Sequence, residues 1–217
     1  GNTNLEIVWT VIPLLLVIAI AIYSTNINST LKNLGSKSKY DPQKDLIQNS
    51  ELGQKISDAP IDVIARQWNW EFVYPEGFSS SELHLPINNK INFRLISKDV
   101  LHGFYIPAFR LKQDIIPGSI IEYSLTPTRA GVYRLRDSMF SGTYFSENQT
   151  NVIVESKDSY QNWINKTVKK VPVSGLNQAG ILYKKRLEKG DRGWATVPPK
   201  SSPMVNEPGD YQQPHEG

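Results

Sequence analysis

The stretch IDVIARQWNWEFVY, residues 61–74, decides the fold class of this chain. It is long, aromatic and rich in β-branched side chains, which favour a strand, and the Pro-Glu-Gly sequence at 75–77 marks a turn at its end. Further short strands separated by turn residues are predicted at 91–95, 121–125, 132–136 and 152–154. Short strands at this spacing, over about 100 residues, predict an all-β sandwich.

One segment of the chain is strongly apolar: IVWTVIPLLLVIAIAIY, residues 7–23, has no charged side chain. As a helix it would span about 25 Å, the lower limit for a bilayer core. Trp9 and Tyr23 lie near its two ends, where amphipathic aromatic rings favour the membrane interface. A signal peptide is the alternative, but Glu6 rather than a basic residue precedes the segment and no small-residue cleavage site follows it. We therefore predict a transmembrane helix at residues 1–25.

The rest of the chain divides by composition. Residues 26–60 are polar and are predicted to form a linker. The β-sandwich is predicted to occupy residues 61–157, and residues 158–217 are predicted to form a helical segment followed by a proline-rich tail without a core of its own.

The composition of the chain excludes several classes of function. Lys and Arg number 24 against 21 Asp and Glu, and a net charge of +3 is too weak to indicate a nucleic-acid interface. The chain has no cysteine, which excludes disulfides, iron–sulfur clusters, cysteine nucleophiles and copper sites that need a thiolate. Its three histidines are His84, His102 and His215, the last of which lies in the proline-rich tail. We predict no catalytic site and no metal in this chain.

Three stretches carry a resemblance to a known family: NLEIVWTVIP at Asn4–Pro13, RQWNW at Arg66–Trp70, and VLHGFYIPAFRLKQDIIPG at Val100–Gly118. In this order and at this spacing they resemble subunit II of haem–copper respiratory oxidases, the cytochrome c or quinol oxidase subunit 2. The resemblance implies a cupredoxin-like Greek-key sandwich on a membrane anchor, in a bacterial plasma or thylakoid membrane, with the β-domain on the periplasmic or lumenal side. The family carries two membrane helices in this subunit, and the helix here corresponds to the second.

The resemblance also identifies positions where this chain departs from the family. The family holds a dinuclear copper centre, CuA, with one histidine and a loop of the form Cys-x-Glu-x-Cys-x-x-x-His-x-x-Met. The matching loop here carries Asp137 and Ser141 at the thiolate positions, Met139 at the glutamate, Phe145 at the imidazole and Asn148 at the thioether, and only His102 remains of the side-chain ligands. One imidazole without a thiolate cannot assemble this centre, so we predict that these vestigial positions bind no copper and that His102 is a hydrogen-bonded remnant.

Three other residues receive roles from the resemblance. Glu6 matches a glutamate at the mouth of a proton path, the K-pathway, and the alternative is a charge at the start of the helix that the helix dipole stabilises. Trp68 matches the tryptophan through which electrons enter the family's copper centre. Because no copper is expected behind it, Trp68 and Trp70 are predicted to pack or to contact a partner protein.

The resemblance implies a non-catalytic subunit II of a membrane terminal oxidase that reduces oxygen to water and translocates protons. Haem and copper are expected in the partner catalytic subunit I, with subunit III as a further partner. Without CuA the donor is expected to be a quinol, as in the family's quinol oxidases, and the chain is similar to the alternative terminal oxidases of cyanobacteria. Two alternatives remain: a membrane-anchored structural or assembly protein that binds a partner through Trp68 and Trp70, and a subunit of a quinol-dependent nitric oxide reductase.

Overall fold

The structure is a computed structural model, which describes residues 1–30, 37–39, 59–190 and 197–210. The chain divides into two units, Gly1–Gly35 and Ser36–Gly217. Most of the linker predicted at 26–60 lies outside the described residues, as do His215 and the end of the predicted tail.

The first unit contains helix α1, which runs from Thr3 to Thr30. Its segment Thr3–Thr25 has a mean hydropathy of 2.6 and is long and apolar enough to cross a membrane. A helix that is apolar on all sides suits lipid rather than water. The helix continues beyond the predicted boundary at residue 25 because neither glycine nor proline occurs between Pro13 and Gly35 to end it.

The second unit is built mainly from short strands. In chain order they are β1 (Lys37–Lys39), β2 (Ile61–Arg66), β3 (Asn69–Val73), β4 (Ser79–Ser80), β5 (Leu83–Pro86), β6 (Ile91–Ser97), β7 (His102–Ile106), β8 (Leu111–Ile115), β9 (Ser119–Leu125), β10 (Gly131–Asp137) and β11 (Gln149–Glu155). Among the described residues, one sheet has the order β1-β9-β6-β2-β3-β4 and the other β5-β11-β10-β7-β8. Neighbouring strands are antiparallel except for the pairs β2–β6 and β5–β11. The chain passes repeatedly from one sheet to the other, as in a Greek-key sandwich.

The core lies between the two sheets. Strands β2 and β11 bury every second side chain, which is the pattern of a sheet with one face on the core. Phe72 and Leu95 of the first sheet and Phe104, Leu135 and Val152 of the second are fully buried. The predicted fold class, an all-β cupredoxin-like sandwich behind an N-terminal helix, is therefore confirmed.

Two helices follow the sandwich. Helix α2, Lys157–Thr167, begins at Ser156, whose hydroxyl accepts a hydrogen bond from the Ser159 backbone N–H. It buries Ile164, and the ring of Trp163 stacks on His84 with centroids 3.9 Å apart. Helix α3, Gln178–Glu188, begins at Asn177, whose side chain caps the Gly180 N–H.

The described part of the predicted tail, residues 197–210, packs on the sandwich. Strand β13 (Met204–Val205) pairs with β12 (Val173–Ser174), and Val205 is fully buried. The Ser81 backbone N–H donates to the Glu207 carbonyl at 2.9 Å. This segment therefore shares the core of the β-domain and holds the peptide that precedes α3.

Candidate functional site

The sheet that contains β7 and β10 brings together four of the positions predicted to be vestigial copper ligands. His102 begins β7 and Asp137 ends β10, and these strands are neighbours in the sheet. The loop after β10 is closed by a hydrogen bond from the Asp137 N–H to the Asn148 carbonyl at 3.0 Å. As a result His102, which lies 35 residues before Asp137, shares one buried site with Asp137, Ser141 and Asn148.

Asp137 is the centre of a polar network in this site. Its Oδ2 accepts hydrogen bonds from His102 Nδ1 at 2.6 Å, Ser141 Oγ at 2.9 Å and Asn148 Nδ2 at 3.0 Å. Its Oδ1 accepts from the backbone N–H groups of Gly103 at 2.8 Å and Met139 at 3.1 Å. A buried carboxylate with this many donors is held in its charged form.

A second carboxylate lies on the other side of the imidazole. His102 Nε2 lies 2.8 Å from Asp99 Oδ1. Asp99 also accepts from the backbone N–H groups of Gln67 and Val100, both at 2.8 Å. Because both ring nitrogens face carboxylate oxygens, only the imidazolium, which donates from both, satisfies both contacts. We call Asp99, His102, Asp137, Ser141 and Asn148 the polar network.

The electrostatics of the polar network follow from this arrangement. Burial alone would lower the pKa of His102, but the hydrogen bonds and charges of Asp137 and Asp99 outweigh it and raise that pKa. Burial alone would raise the pKa values of Asp99 and Asp137, but hydrogen bonds from His102 and from backbone N–H groups lower both. Between pH 3.8 and pH 6.5, the ordinary pKa values of these groups, the three groups therefore favour two carboxylates and one imidazolium.

The residues of the polar network do not fit a dinuclear copper centre. The chain supplies no thiolate, and both nitrogens of its one matching imidazole are engaged by carboxylates. Carboxylate, hydroxyl and amide oxygens are hard donors, whereas a copper pair that shares an electron needs soft sulfur ligands. In the described part of the chain, no group of three or more His, Asp or Glu side chains could hold a metal ion.

Two of the predicted vestigial positions contribute no side chain to the polar network. Met139 provides only its backbone N–H to Asp137. The ring of Phe145 lies 5.2 Å from that of Phe140, and Phe140 is 79% exposed. Phe145 is half-buried and packs against the cluster of Trp68, Tyr144 and Ala179.

Of the two roles predicted for Trp68 and Trp70, packing or contact with a partner, the described domain shows packing, because the two side chains are only 1% and 2% exposed. Trp70 Nε1 donates to the Asn148 carbonyl at 3.0 Å, and its ring lies edge-on to His102. Trp68 Nε1 donates to the Ser141 carbonyl at 3.1 Å, and its ring lies against Tyr144 and beneath Ala179 of α3. Both indoles therefore fasten the loop rather than present a surface.

Sequence reasoning missed Asp99 and the contribution of α3. An acidic residue three positions before the single remaining ligand was the available signal for Asp99. For α3 the signal was the spacing of Ala179, Leu182 and Tyr183, which places them on one helix face.

Glu6 lies in the first turn of α1, where its side chain is exposed. The Thr10 hydroxyl donates to the Glu6 carbonyl, one turn along the helix. A negative charge at this end of a helix is stabilised by the helix dipole. Its matched role at a proton path stays a prediction.

Comparison with known proteins bears on both units. Residues 1–27 match the family model for the transmembrane domain of cytochrome c oxidase subunit II, and residues 78–157 match that for its periplasmic domain. Among similar proteins, cytochrome c oxidase subunit 2 of Thermostichus vulcanus is 30% identical over 197 residues, covering 75% of this chain and 60% of the relative. Quinol oxidase subunit 2 of Bacillus subtilis (strain 168) is 27% identical over 176 residues, covering 79% of this chain and 50% of the relative.

These relatives are longer, so the chain spans 50–60% of their length. Among solved structures, the periplasmic domain of subunit II of cytochrome oxidase of Bradyrhizobium japonicum is 24% identical with a TM-score of 0.48, covering 50% of this chain and 92% of that one. The apolar helix and the β-sandwich match, in the same order, the membrane and periplasmic domains of one subunit, and the β-domain lies on the periplasmic side of its anchor. The chain belongs to the subunit II family of haem–copper oxidases.

Proposed function

We propose that this chain is a non-catalytic subunit II of a terminal oxidase that reduces oxygen to water with electrons from a quinol. In this proposal the chain holds no CuA, and haem and copper belong to a partner subunit I, with subunit III as a further partner. The polar network carries the proposal, because four of the positions that match copper ligands, His102, Asp137, Ser141 and Asn148, hydrogen-bond to one another or to Asp99 instead.

The chemistry of the polar network supports loss of the electron-accepting site. Its carboxylates, imidazolium, hydroxyl and amide have no accessible redox state at physiological potentials, so an electron from a donor has no acceptor there. A soluble carrier such as cytochrome c would therefore gain nothing by docking on the β-domain. A quinol, which is dissolved in the membrane, can reach the partner subunit without passing through this domain.

The relatives' names are consistent with either donor. One is a cytochrome c oxidase subunit and another a quinol oxidase subunit, at similar identity to this chain. The polar network, which holds no redox-active group, favours the quinol. The burial of Trp68 and Trp70 also removes the partner face on which the assembly-protein alternative depended.

The test is oxygen consumption by the purified complex that contains the full chain. We expect turnover with a reduced quinol and none with reduced cytochrome c as sole donor. Electron paramagnetic resonance of the same sample should lack the signal of a mixed-valence copper pair. Turnover with cytochrome c at a rate comparable to that with quinol, or a copper-pair signal, would contradict the proposal. Co-purification of no haem protein would favour the assembly-protein alternative.

A further inference from the structure

Helix α3 lies over an aromatic cluster beside the polar network. Trp68 and Tyr144 pack edge to face with ring centroids 5.3 Å apart, and Ala179 of α3 is fully buried against them. Leu182 and Tyr183 continue the contact on the same helix face, and the ring of Tyr183 lies 6.3 Å from that of Tyr144. The helix therefore covers the aromatic cluster, and Ala179 is its fully buried residue.

Hydrogen bonds fix the cover at its N-terminal end. The Gly175 backbone N–H donates to the Pro203 carbonyl at 2.7 Å, and the Leu176 N–H donates to Ser81 Oγ at 3.2 Å. A Cβ at Gly175 would approach Ser81 Oγ to 2.5 Å, so only glycine permits this approach. The start of α3 is thus held on the sandwich at two points: the Leu176 N–H bonds to Ser81, and the Gly175 N–H bonds to Pro203 of the tail segment 197–210, which we call the returning segment.

The returning segment fixes the same helix a second time, next to Trp68. The Lys200 backbone N–H donates to the carbonyl of Gln67 at 2.6 Å. The Asn177 side chain donates to the Lys200 carbonyl at 2.6 Å, while its Oδ1 caps the helix. Lys200 therefore connects Asn177, the cap residue of α3, to Gln67, the residue before Trp68.

The outward surface of the cover is basic. Lys184, Lys185, Arg186 and Lys189 are all exposed, and the Arg186 guanidinium lies 5.3 Å above the ring of Tyr144. Aromatic rings are enriched at protein interfaces, so the uncovered Trp68–Tyr144 cluster would be a natural contact for a protein partner. The cover replaces that contact with a charged helix, which repels cationic proteins.

We propose that α3 excludes soluble electron-transfer proteins of the cytochrome c type from the Trp68–Tyr144 cluster. Ala179, Leu182 and Tyr183 are then specificity-determining residues, which close the β-domain to a protein donor. The inference rests on the proposed function, because it explains how an oxidase subunit would reject such a donor. Its first consequence, the protection of Trp68 by α3, can be measured independently of the donor.

The test is hydroxyl-radical footprinting of the intact complex, with mass spectrometry of Trp68. In the native chain Trp68 should be oxidised as slowly as Trp70. Replacement of Ala179 by arginine places a long charged side chain against the two rings and should displace the helix. We expect Trp68 oxidation to rise about tenfold in Ala179→Arg, while Trp70 stays protected because the sandwich remains folded.

The matched control is Leu187→Arg, the same substitution on the same helix at a side chain that is 63% exposed. It should leave Trp68 protected. Tyr183→Ala is a milder second variant, which removes the edge of the cover and tests the inference if Ala179→Arg fails to fold. Rapid Trp68 oxidation in the native chain, or protection that persists in both Ala179→Arg and Tyr183→Ala, would overturn the inference.

Footprinting is then repeated with cytochrome c as the cationic probe. In the native complex, cytochrome c should leave the oxidation of α3 unchanged. Added protection of α3 by cytochrome c in the native complex would overturn the inference, whatever the donor. If cytochrome c instead sustains oxygen consumption without changing the oxidation of α3 or Trp68, the inference that α3 covers Trp68 holds and the quinol proposal fails. If Trp68 is oxidised rapidly in the native complex while quinol is the donor, the quinol proposal holds and the inference about α3 fails.

Discussion

At the scale of the residue, Asp137 should be the most sensitive position in the polar network. Its carboxylate is buried and accepts from two backbone N–H groups and three side chains. Asp137→Asn removes the charge that pairs with His102 and introduces two N–H donors among existing donors. We expect the free energy of unfolding of the β-domain to fall by about 3–5 kcal/mol. Urea denaturation of the full chain in detergent, followed by tryptophan fluorescence, measures it.

The matched control for that substitution is Asp114→Asn. Asp114 lies on β8 with an exposed side chain, and its nearest ion-pair partner, Lys112, is 3.9 Å away. This change should alter the free energy of unfolding by no more than about 0.5 kcal/mol. Equal losses at the two positions would mean that Asp137 has no special role.

The two buried histidines should titrate on opposite sides of the ordinary pKa of 6.5. Burial lowers the pKa of His84, and the hydrogen bond that its ring donates to Glu155 only partly offsets this effect. For His102, two carboxylates outweigh burial and the pKa is raised. At pH 6.5, nuclear magnetic resonance of the imidazole rings should therefore show His102 mainly charged and His84 mainly neutral. The reverse order would contradict the ion pairing described here.

The pKa shifts of the polar network predict how the stability of the β-domain changes with pH. Because the pKa of His102 is raised, its contribution is complete below 6.5 and is lost as pH rises through its folded pKa. Because the pKa values of Asp99 and Asp137 are lowered, their contributions are present above 3.8 and are lost as pH falls through their folded pKa values. Stability should therefore decline on the alkaline side in the native chain and decline less in His102→Gln.

How far the sequence predicts the site differs between these residues. The absence of cysteine and the identities at 137 and 141 already exclude a thiolate copper site. The hydrogen bonding predicted for His102 is present, but its second partner, Asp99, was missed. Which carboxylates face an imidazole depends on how two loops meet, and that meeting is set by the pairing of strands distant in sequence.

At the scale of the element, strands were easier to predict than the helix that covers them. Alternating apolar residues at 91–95 and 121–125 identify β6 and β9, because one face of each strand packs on the core. Helix α3 is short and rich in Lys and Arg, and the basic run at 184–186 indicates only a solvated face. That reading holds for the outward side of the helix. The inward side depends on only a few apolar residues, which a short segment cannot distinguish from chance.

Gly142 gives a prediction at this scale, because it sets the path of the loop between β10 and β11. Its φ is +117°, and an added Cβ would lie 2.7 Å from Cζ2 of Trp68. Gly142→Ala therefore combines backbone strain with a clash against a buried ring. We expect it to lower the free energy of unfolding by about 2–4 kcal/mol.

Gly77→Ala separates the two causes. Gly77 has a φ of +85°, but a Cβ there would meet nothing within 4 Å. This variant reports backbone strain alone, of about 1 kcal/mol. Chemical denaturation of both variants should show the larger loss for Gly142→Ala, and equal losses would mean that Trp68 does not press on the loop.

At the scale of the whole molecule, the proposed function gives the membrane helix and the β-domain different roles. In the proposed function the loop after β10 needs no metal to close it, because the polar network holds β7, this loop and Asp99 together. The membrane unit keeps the family's apolar helix and a carboxylate at its start. If electrons do not pass through the β-domain, the roles that we propose for the chain are docking to the catalytic subunit and, through Glu6, proton entry.

Glu6→Gln in the assembled complex tests that last role. The change preserves size and removes the ionisable group, so a proton path that begins there should slow. Removal of a proton-transfer group typically costs roughly 100-fold, and because water can partly replace a carboxylate at a membrane interface, we expect oxygen consumption to fall by about tenfold. Proton uptake measured with a pH-sensitive dye should fall by the same factor. The control is Glu188→Gln, an exposed carboxylate at the end of α3, which should change neither rate. Unchanged turnover and proton uptake in Glu6→Gln would leave Glu6 as a charge that only stabilises the start of α1.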